Sequence, residues 1–296
     1  MHLHVIDVTW DKKSTIDRWV PLIVLYNRVQ KTIQKVNLED YTFNWKLSET
    51  RTCVGFYEKN NYVPCPFSST LQYKFSSQCS YCEDKTGFRD AFIFKREPNE
   101  NIKEYIYSNH RVYLAYFYPD IIKVGTAVEN RNEKRLIEQD AQAYVFIAEK
   151  PNGIEIQELE SKISKRFKLK LAVASRIKKK QLYNSDTSAI DKLKKIVNKI
   201  YSDKDIEWEL FEKDDLVFKN LSKNYMYFQT RIEFLKLSSH DFILSGIFQG
   251  LRGNYLFVKN NGVVLGFDTR DLVGRSIVGY KENYQYENLD KRMTLF

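Results

Sequence analysis

The feature that most restricts this chain is a cysteine spacing. All four cysteines fall between residues 53 and 82, as Cys53-x11-Cys65-x13-Cys79-x2-Cys82, in a loop-rich stretch that also holds Pro64 and Pro66. A stretch of this kind buries too little apolar area to hold itself together, so another interaction must do it. Cys79-Ser-Tyr-Cys82 is a knuckle whose two thiolates can meet one tetrahedral ion. Cys53 and Cys65 bracket a hairpin, Val54 to Tyr57 and Tyr62 to Val63, turned through Glu58-Lys59-Asn60-Asn61. A hairpin closed at its base puts Cys53 beside Cys65, and the four thiolates Cys53, Cys65, Cys79 and Cys82 then predict a structural zinc site. Redox or catalytic use of Cys79 and Cys82, and ordinary buried thiols, are the other readings. A closed four-thiolate site names no activity.

With 296 residues the chain has the length of about two domains, and 43% hydrophobic content excludes wholesale disorder. The net charge is +9, and it is concentrated: residues 161–200 hold 13 Lys or Arg against two Asp, so the rest of the chain sums to −2. That concentration points to an anionic partner, DNA or RNA, with Lys165, Arg166, Lys178, Lys179 and Lys180 as candidate phosphate contacts. Helices are predicted from Ile163 to Lys180 and from Ala189 to Tyr201 to carry them. A solvated lysine-rich face without any partner is the plainer alternative. The longest strongly apolar run, Trp19 to Tyr26, is far short of the roughly 20 residues of a spanning helix. The opening Met-His-Leu-His-Val-Ile-Asp has no leader pattern. No membrane partner and a cytoplasmic location are the expectation.

The hydrophobic pattern predicts an α+β chain in four regions. Residues 1–108 open with a strand at Leu3 to Thr9 and a helix from the cap candidate Ser14 through Leu38, which either starts later or is bent at Pro21, and go on to the cysteines. In residues 109–170, Val112–Phe117 and Ile121–Gly125 form a hairpin about Tyr118-Pro119-Asp120. A helix follows over Glu129–Gln139, then a strand over Ala143–Ala148. Ile156, Leu159, Ile163 and Phe167 recur at helical spacing after Pro151-Asn152-Gly153. Residues 171–233 read as a basic helical region. Residues 234–296 hold seven of the 11 glycines, which suits short strands in a small barrel-like β domain. No phosphate-binding glycine loop and no local nucleophile triad is present.

Arg111-Val-Tyr113, Lys123-Val-Gly125, an arginine in the next helix and Leu159-Glu160 in a later one together resemble the GIY-YIG nuclease superfamily. The resemblance implies a small mixed sheet in strand, strand, helix, strand, helix order. It implies water activation at Tyr113, a glycine at Gly125, a phosphate-steadying arginine at Arg135 or else Arg131, and a glutamate at Glu160 or else Glu158 for one Mg²⁺ or Mn²⁺ ion. Lys123 stands where most members have tyrosine, as in some branches of the superfamily. His110 is an auxiliary acid or base candidate. A second resemblance, over about residues 50–265, is to a largely uncharacterised bacterial family with a cysteine-bearing segment. That family has VYLA and KVG strands, an arginine followed by E-Q-G-A, and a glycine-rich β segment. The matching pieces are Val112-Tyr-Leu-Ala115, Lys123-Val-Gly125, Arg135, Glu138-Gln-Asp-Ala141 and Gly250-Leu-Arg-Gly-Asn-Tyr-Leu256, with Asp140 in place of glycine.

The first resemblance implies a metal-dependent endonuclease, while the second implies architecture more than chemistry. A non-catalytic DNA- or RNA-binding zinc protein on a degenerate nuclease scaffold is the alternative, and a protein-interaction module is a third. At the level of single residues, Tyr113 also suits a packed strand aromatic, Arg135 a partner of Glu138, Glu160 an exposed helix acid, and His110 a structural histidine.

Overall fold

The apolar run Trp19–Tyr26 forms a strand, which overturns the helix predicted from Ser14 to Leu38. In the computed structural model, which describes residues 3–13, 18–59, 61–73, 76–94, 96–203 and 209–286, β1 (Leu3–Lys13), β2 (Arg18–Asn27) and β3 (Thr32–Asn37) are consecutive antiparallel strands. Every residue from Trp19 to Tyr26 is buried. A strand covered on both faces shows no alternation, which is why the run carries no strand period. Pro21 has no amide to donate, and it sits beyond the last β2–β3 pair, where the Leu38 carbonyl takes the Tyr41 amide at 3.1 Å while the Pro21 carbonyl accepts from the Leu38 amide at 3.0 Å. Ser14 lies outside the described residues. β4 (Thr42–Leu47) follows, burying Phe43, Trp45 and Leu47 on one side.

The chain divides into two compact units: Met1–Gly55 with Pro64–Cys79 and Phe228–Phe296, and Phe56–Val63 with Ser80–Tyr227. The second unit contains the hairpin β5 (Phe56–Glu58) and β6 (Asn61–Val63), then α1 (Ser80–Thr86) and α2 (Glu100–Ile106). Next come β7 (His110–Phe117), β8 (Ile121–Val128), α3 (Asn132–Glu138), β9 (Ala143–Lys150) and α4 (Gly153–Phe167), in the predicted order. α4 begins where the Asn152 side chain accepts from the amides of Ile154 and Glu155, and ends at Lys168 with φ of 54°. The single helix expected over Ile163–Lys180 is therefore two, the second being α5 (Ser175–Lys180). α6 (Ala189–Tyr201) and β10 (Lys219–Asn220) complete a four-stranded sheet in the order β10-β9-β7-β8.

One face of that sheet, carrying Val112, Leu114, Tyr116, Val124 and Val145, packs on Ile156, Leu159 and Ile163 of α4 and on Leu193, Val197 and Ile200 of α6. The basic helix α6 thus shares a core with the strands, and residues 171–233 are no separate region. Their apolar stripe requires the sheet for cover.

In the first unit, β11 (Ile232–Leu235), β12 (Ile243–Arg252), β13 (Tyr255–Asn260), β14 (Val263–Asp268), α7 (Thr269–Leu272) and β15 (Ser276–Tyr280) follow. Their strands join the first four in a nine-stranded sheet of order β11-β14-β13-β12-β4-β15-β1-β2-β3. The sheet ends on β11 and β3 without closing, so the barrel-like C-terminal domain expected from the glycines is not formed. β12 pairs with β4, and β15 lies between β4 and β1, which merges the outer parts of the expected regions 1–108 and 234–296.

Leu193 has no exposed surface. Leu193→Ala is expected to lower the stability of the second unit by about 2–5 kcal/mol through lost burial and a residual cavity, read as a lower urea midpoint.

Candidate functional site

The hairpin β5–β6 and the start of α1 bring the cysteines together as their spacing predicts. The sulfurs of Cys53, Cys65, Cys79 and Cys82 all lie within 4.8 Å of one another, close enough to hold a metal ion. Cys65 and Cys79 are 3.8 Å apart, and four sulfurs at about 2.3 Å around a tetrahedral centre stand about 3.8 Å apart. The amides of Cys79 and Gly55 donate to the Cys53 sulfur at 3.2 and 3.4 Å. Burial works against ionisation of Cys65, but the amides of Ser69 and Phe67 and the thiols of Cys53 and Cys79 donate to it and bring its pKa down to about 7. Arg51 supports the loop by donating to the carbonyls of Tyr73, Ser76 and Val273.

A second constellation is built on β7 and β8. Tyr113 stands opposite Gly125 and Ala115 opposite Lys123, so Tyr113, Lys123 and Gly125 share one face. The Tyr113 ring lies across Gly125, where an added Cβ would be 2.3 Å from Oη and 2.4 Å from Cζ. Only glycine permits that approach. Lys123 Nζ donates to Tyr113 Oη at 3.0 Å and also to the Gln139 side-chain oxygen, while Gln139 Nε2 donates to Tyr113 Oη at 3.1 Å. Tyr113 has no exposed surface and Lys123 is 8% exposed. Sequence reasoning passed over Gln139, although it is the second residue of the Glu138-Gln-Asp-Ala141 block.

Glu160 reaches this group from the other side. Thr126 stands opposite Val112, on the face that packs against α4, and the Thr126 hydroxyl donates to the Glu160 carboxylate. The glutamate of α4 therefore meets β8, the edge strand of its sheet, from the face opposite Tyr113. Burial pushes the Glu160 carboxyl above its ordinary range, opposed by the charges of Lys123 and Arg135. Arg135 is exposed on α3, and the ion pair with Glu138 is made by Arg131, at 3.0 Å. Glu158 is exposed. His110 is buried beneath Gly153, with its Nε2 2.7 Å from the Tyr105 carbonyl. Burial holds its pKa down, so the ring stays neutral and fills space at the start of α4.

The predicted phosphate contacts are unequally placed. Arg166 is engaged by Asp203 at 2.7 and 3.2 Å, and Lys178 lies over the Phe117 ring at 5.8 Å. Lys179 is half-buried, while Lys165 and Lys180 are exposed.

Asp140 keeps the geometry that a glycine would supply. Its φ is +69°. The Asp140 amide donates to Ile137 and the Ala141 amide to Leu136, the paired bonds that close a helix at a left-handed residue. Gln181 donates to both the carbonyl and the carboxylate of Asp140.

Residues 47–277 match the family model described as a protein of unknown function, DUF2797. The chain belongs to this family. No curated protein and no solved structure matches it. The DUF2797 match takes in all four cysteines, both motif strands, Arg135, Gln139 and Glu160, and reaches into β15.

Two outcomes follow for the DUF2797 chain. Gly125→Ala is expected to destabilise it by about 1–3 kcal/mol through overpacking, and Tyr113→Ala in the same chain should recover part of that loss in a double-mutant cycle. Because folding raises the Glu160 pKa, the stability linked to it is present below the unfolded carboxylate pKa and lost as pH rises through the folded one. Glu160→Gln should therefore be more stable than the parent at neutral pH, with the gap closing in acid, as measured by urea unfolding at both pH values.

Proposed function

We propose that the second unit is a GIY-YIG-like nuclease domain that hydrolyses phosphodiester bonds in DNA or RNA, and that the four cysteines hold a structural zinc ion. The observation that carries the reading is the Lys123 ammonium hydrogen-bonded to the Tyr113 phenol oxygen, with Glu160 in the field of both Lys123 and Arg135. Phosphodiester hydrolysis needs a proton acceptor for water, a group steadying the phosphate and stabilisation of the developing charge. In this proposal Lys123 places fixed positive charge where a phenolate oxygen would form. Arg135, exposed on α3, holds the phosphate.

Glu160 and the neighbouring Thr126 hydroxyl are hard oxygen donors, and a site with one carboxylate suits Mg²⁺ or Mn²⁺, which retain water and phosphate ligands. Glu160 would hold the cation, which would supply Lewis-acid stabilisation when bound. For the cysteines, four sulfur donors within 4.8 Å of one another, with Cys65 and Cys79 at the 3.8 Å of a tetrahedral site, suit Zn²⁺ over either of those ions.

Two observations favour a second reading, a non-catalytic nucleic-acid-binding protein on the same scaffold. Tyr113 has no exposed surface, and Glu160 meets β8 from the opposite face. In that reading Arg135, Lys165 and Lys180 grip phosphates, and the Tyr113–Lys123–Gln139 group is structural.

Plasmid and structured RNA incubated with Mg²⁺ or Mn²⁺ separate the two. The nuclease reading expects metal-dependent cuts that fall by about 100-fold or more in Glu160→Gln, with nucleic-acid binding retained. Cuts that persist in the variant remove Glu160 from its role. Absence of cuts together with binding that weakens steeply with salt selects the second reading, and absence of salt-sensitive binding defeats both. Elemental analysis of freshly purified protein should find about one zinc per chain, and less than about half an equivalent would defeat the zinc assignment.

A further inference from the structure

The second unit contains an open cavity of about 490 Å³ that neither reading above uses. Its walls come from the cysteine-bracketed hairpin, from α1 and α2, and from the end of β8 and the start of α3. They present Tyr57, Phe88 and Tyr105 together with Lys59, Arg131 and Arg135, with Glu104 the one acidic side chain among the described residues that line it. We infer that this cavity binds an unpaired nucleotide of a single-stranded nucleic acid, with the base stacked on Tyr57 or Phe88 and the backbone phosphate held by Lys59 and Arg135. The inference rests on the nucleic-acid reading and names the form of substrate it takes.

Three observations carry it. First, the aromatic walls are uncovered: Tyr57 is 55% exposed and Phe88 42%. Two open rings in one cavity offer apolar faces on which a stacking partner can lie.

Second, the walls are built to stay in place. Phe88 stacks on Phe92 with ring centres 4.8 Å apart, and Phe92 meets Tyr105 edge-on at 5.9 Å. Tyr62 braces Tyr57 edge-on at 5.6 Å. Just before Phe88 the backbone turns at Gly87 with φ of +71°, where the Asn99 side chain closes in. Asn99 also caps α2 and donates to the carbonyl of Asp84 at 2.9 Å.

Third, the cavity shares a residue with the proposed reaction. Arg135 lines it while its charge acts on Glu160. A strand seated there is led toward the proposed site.

Exposed aromatic faces interleaved with cations suit single strands, because every base has a π-face and every linkage a negative charge. A base inside a duplex offers only its edges, which a stacking wall does not recognise. An apolar peptide would use the rings but make no use of the positive charge that Lys59 and Arg135 bring to the cavity.

Fluorescence anisotropy on the full chain, with no added divalent metal, tests the inference. The probes are labelled single-stranded DNA, single-stranded RNA and a blunt duplex of the same sequence. The double variant Tyr57→Ala, Phe88→Ala should bind one or both single strands about tenfold or more weakly while duplex affinity stays within about twofold. Tyr57→Phe with Phe88→Tyr, which keeps both π-faces, should bind single strands as the parent does. Lys59→Gln should reduce the salt slope on single strands by about one contact. Unchanged single-strand affinity in the double variant, or an equal loss on duplex and single strand, overturns the cavity assignment while leaving the nucleic-acid reading intact. Failure of the parent chain to bind any of the three probes overturns both.

Discussion

A tyrosine ring laid across a glycine organises the central sheet. With Tyr113 over Gly125, its phenol oxygen sits where Lys123 can reach it, and Lys123 enters the interior with only 8% of its surface exposed. A buried ammonium is costly unless acceptors surround it. Tyr113 supplies one acceptor and Gln139 the other. Gln139 is the residue that caps the end of α3, so the helix must stop there, and Asp140 stops it with its left-handed backbone. The KVG strand, the arginine helix and the Glu-Gln-Asp-Ala block are thus one physical dependence.

What the sequence made legible was local. The cysteine spacing encodes a hairpin and a knuckle, each only a few residues long, and their meeting needed no distant strand. The order strand, strand, helix, strand, helix was equally readable, since each step carries its own period and turn residues. Three things were not. The run Trp19–Tyr26 shows no period because both faces are covered, so a helix and a buried strand are indistinguishable there. The nine-stranded sheet depends on pairing β4 with β12 and β15, about 200 residues away, which leaves no local trace. The side from which Glu160 approaches was also hidden. Its place four residues after Ile156 puts it at the border of the α4 core, but only the strand register tells which face of β8 it meets.

Charge concentration in sequence also proves to be a poor map of open charge in space. The segment 161–200 holds the whole net excess, yet part of it is spent internally. Arg166 is paired with Asp203, and Lys192 binds Asp186 at 2.7 Å and also Asp120. Lys178 lies over an aromatic ring. An amphipathic helix must turn some lysine stems along its core, and those heads find acids near the sheet. The cavity at Arg135 draws its cations from outside that segment, where no composition count would direct attention.

The position of β15 between β4 and β1 has a consequence for biosynthesis. A ribosome delivers β1 to β4 before the second unit and β15 after every other described strand. The second unit can begin to fold on its own contacts while the nascent first unit waits, its β4 and β1 edges unpaired and open to wrong partners. Closure of that gap waits on the synthesis of β15, and until then the β4 and β1 edges that it covers stay open to pairing with another strand.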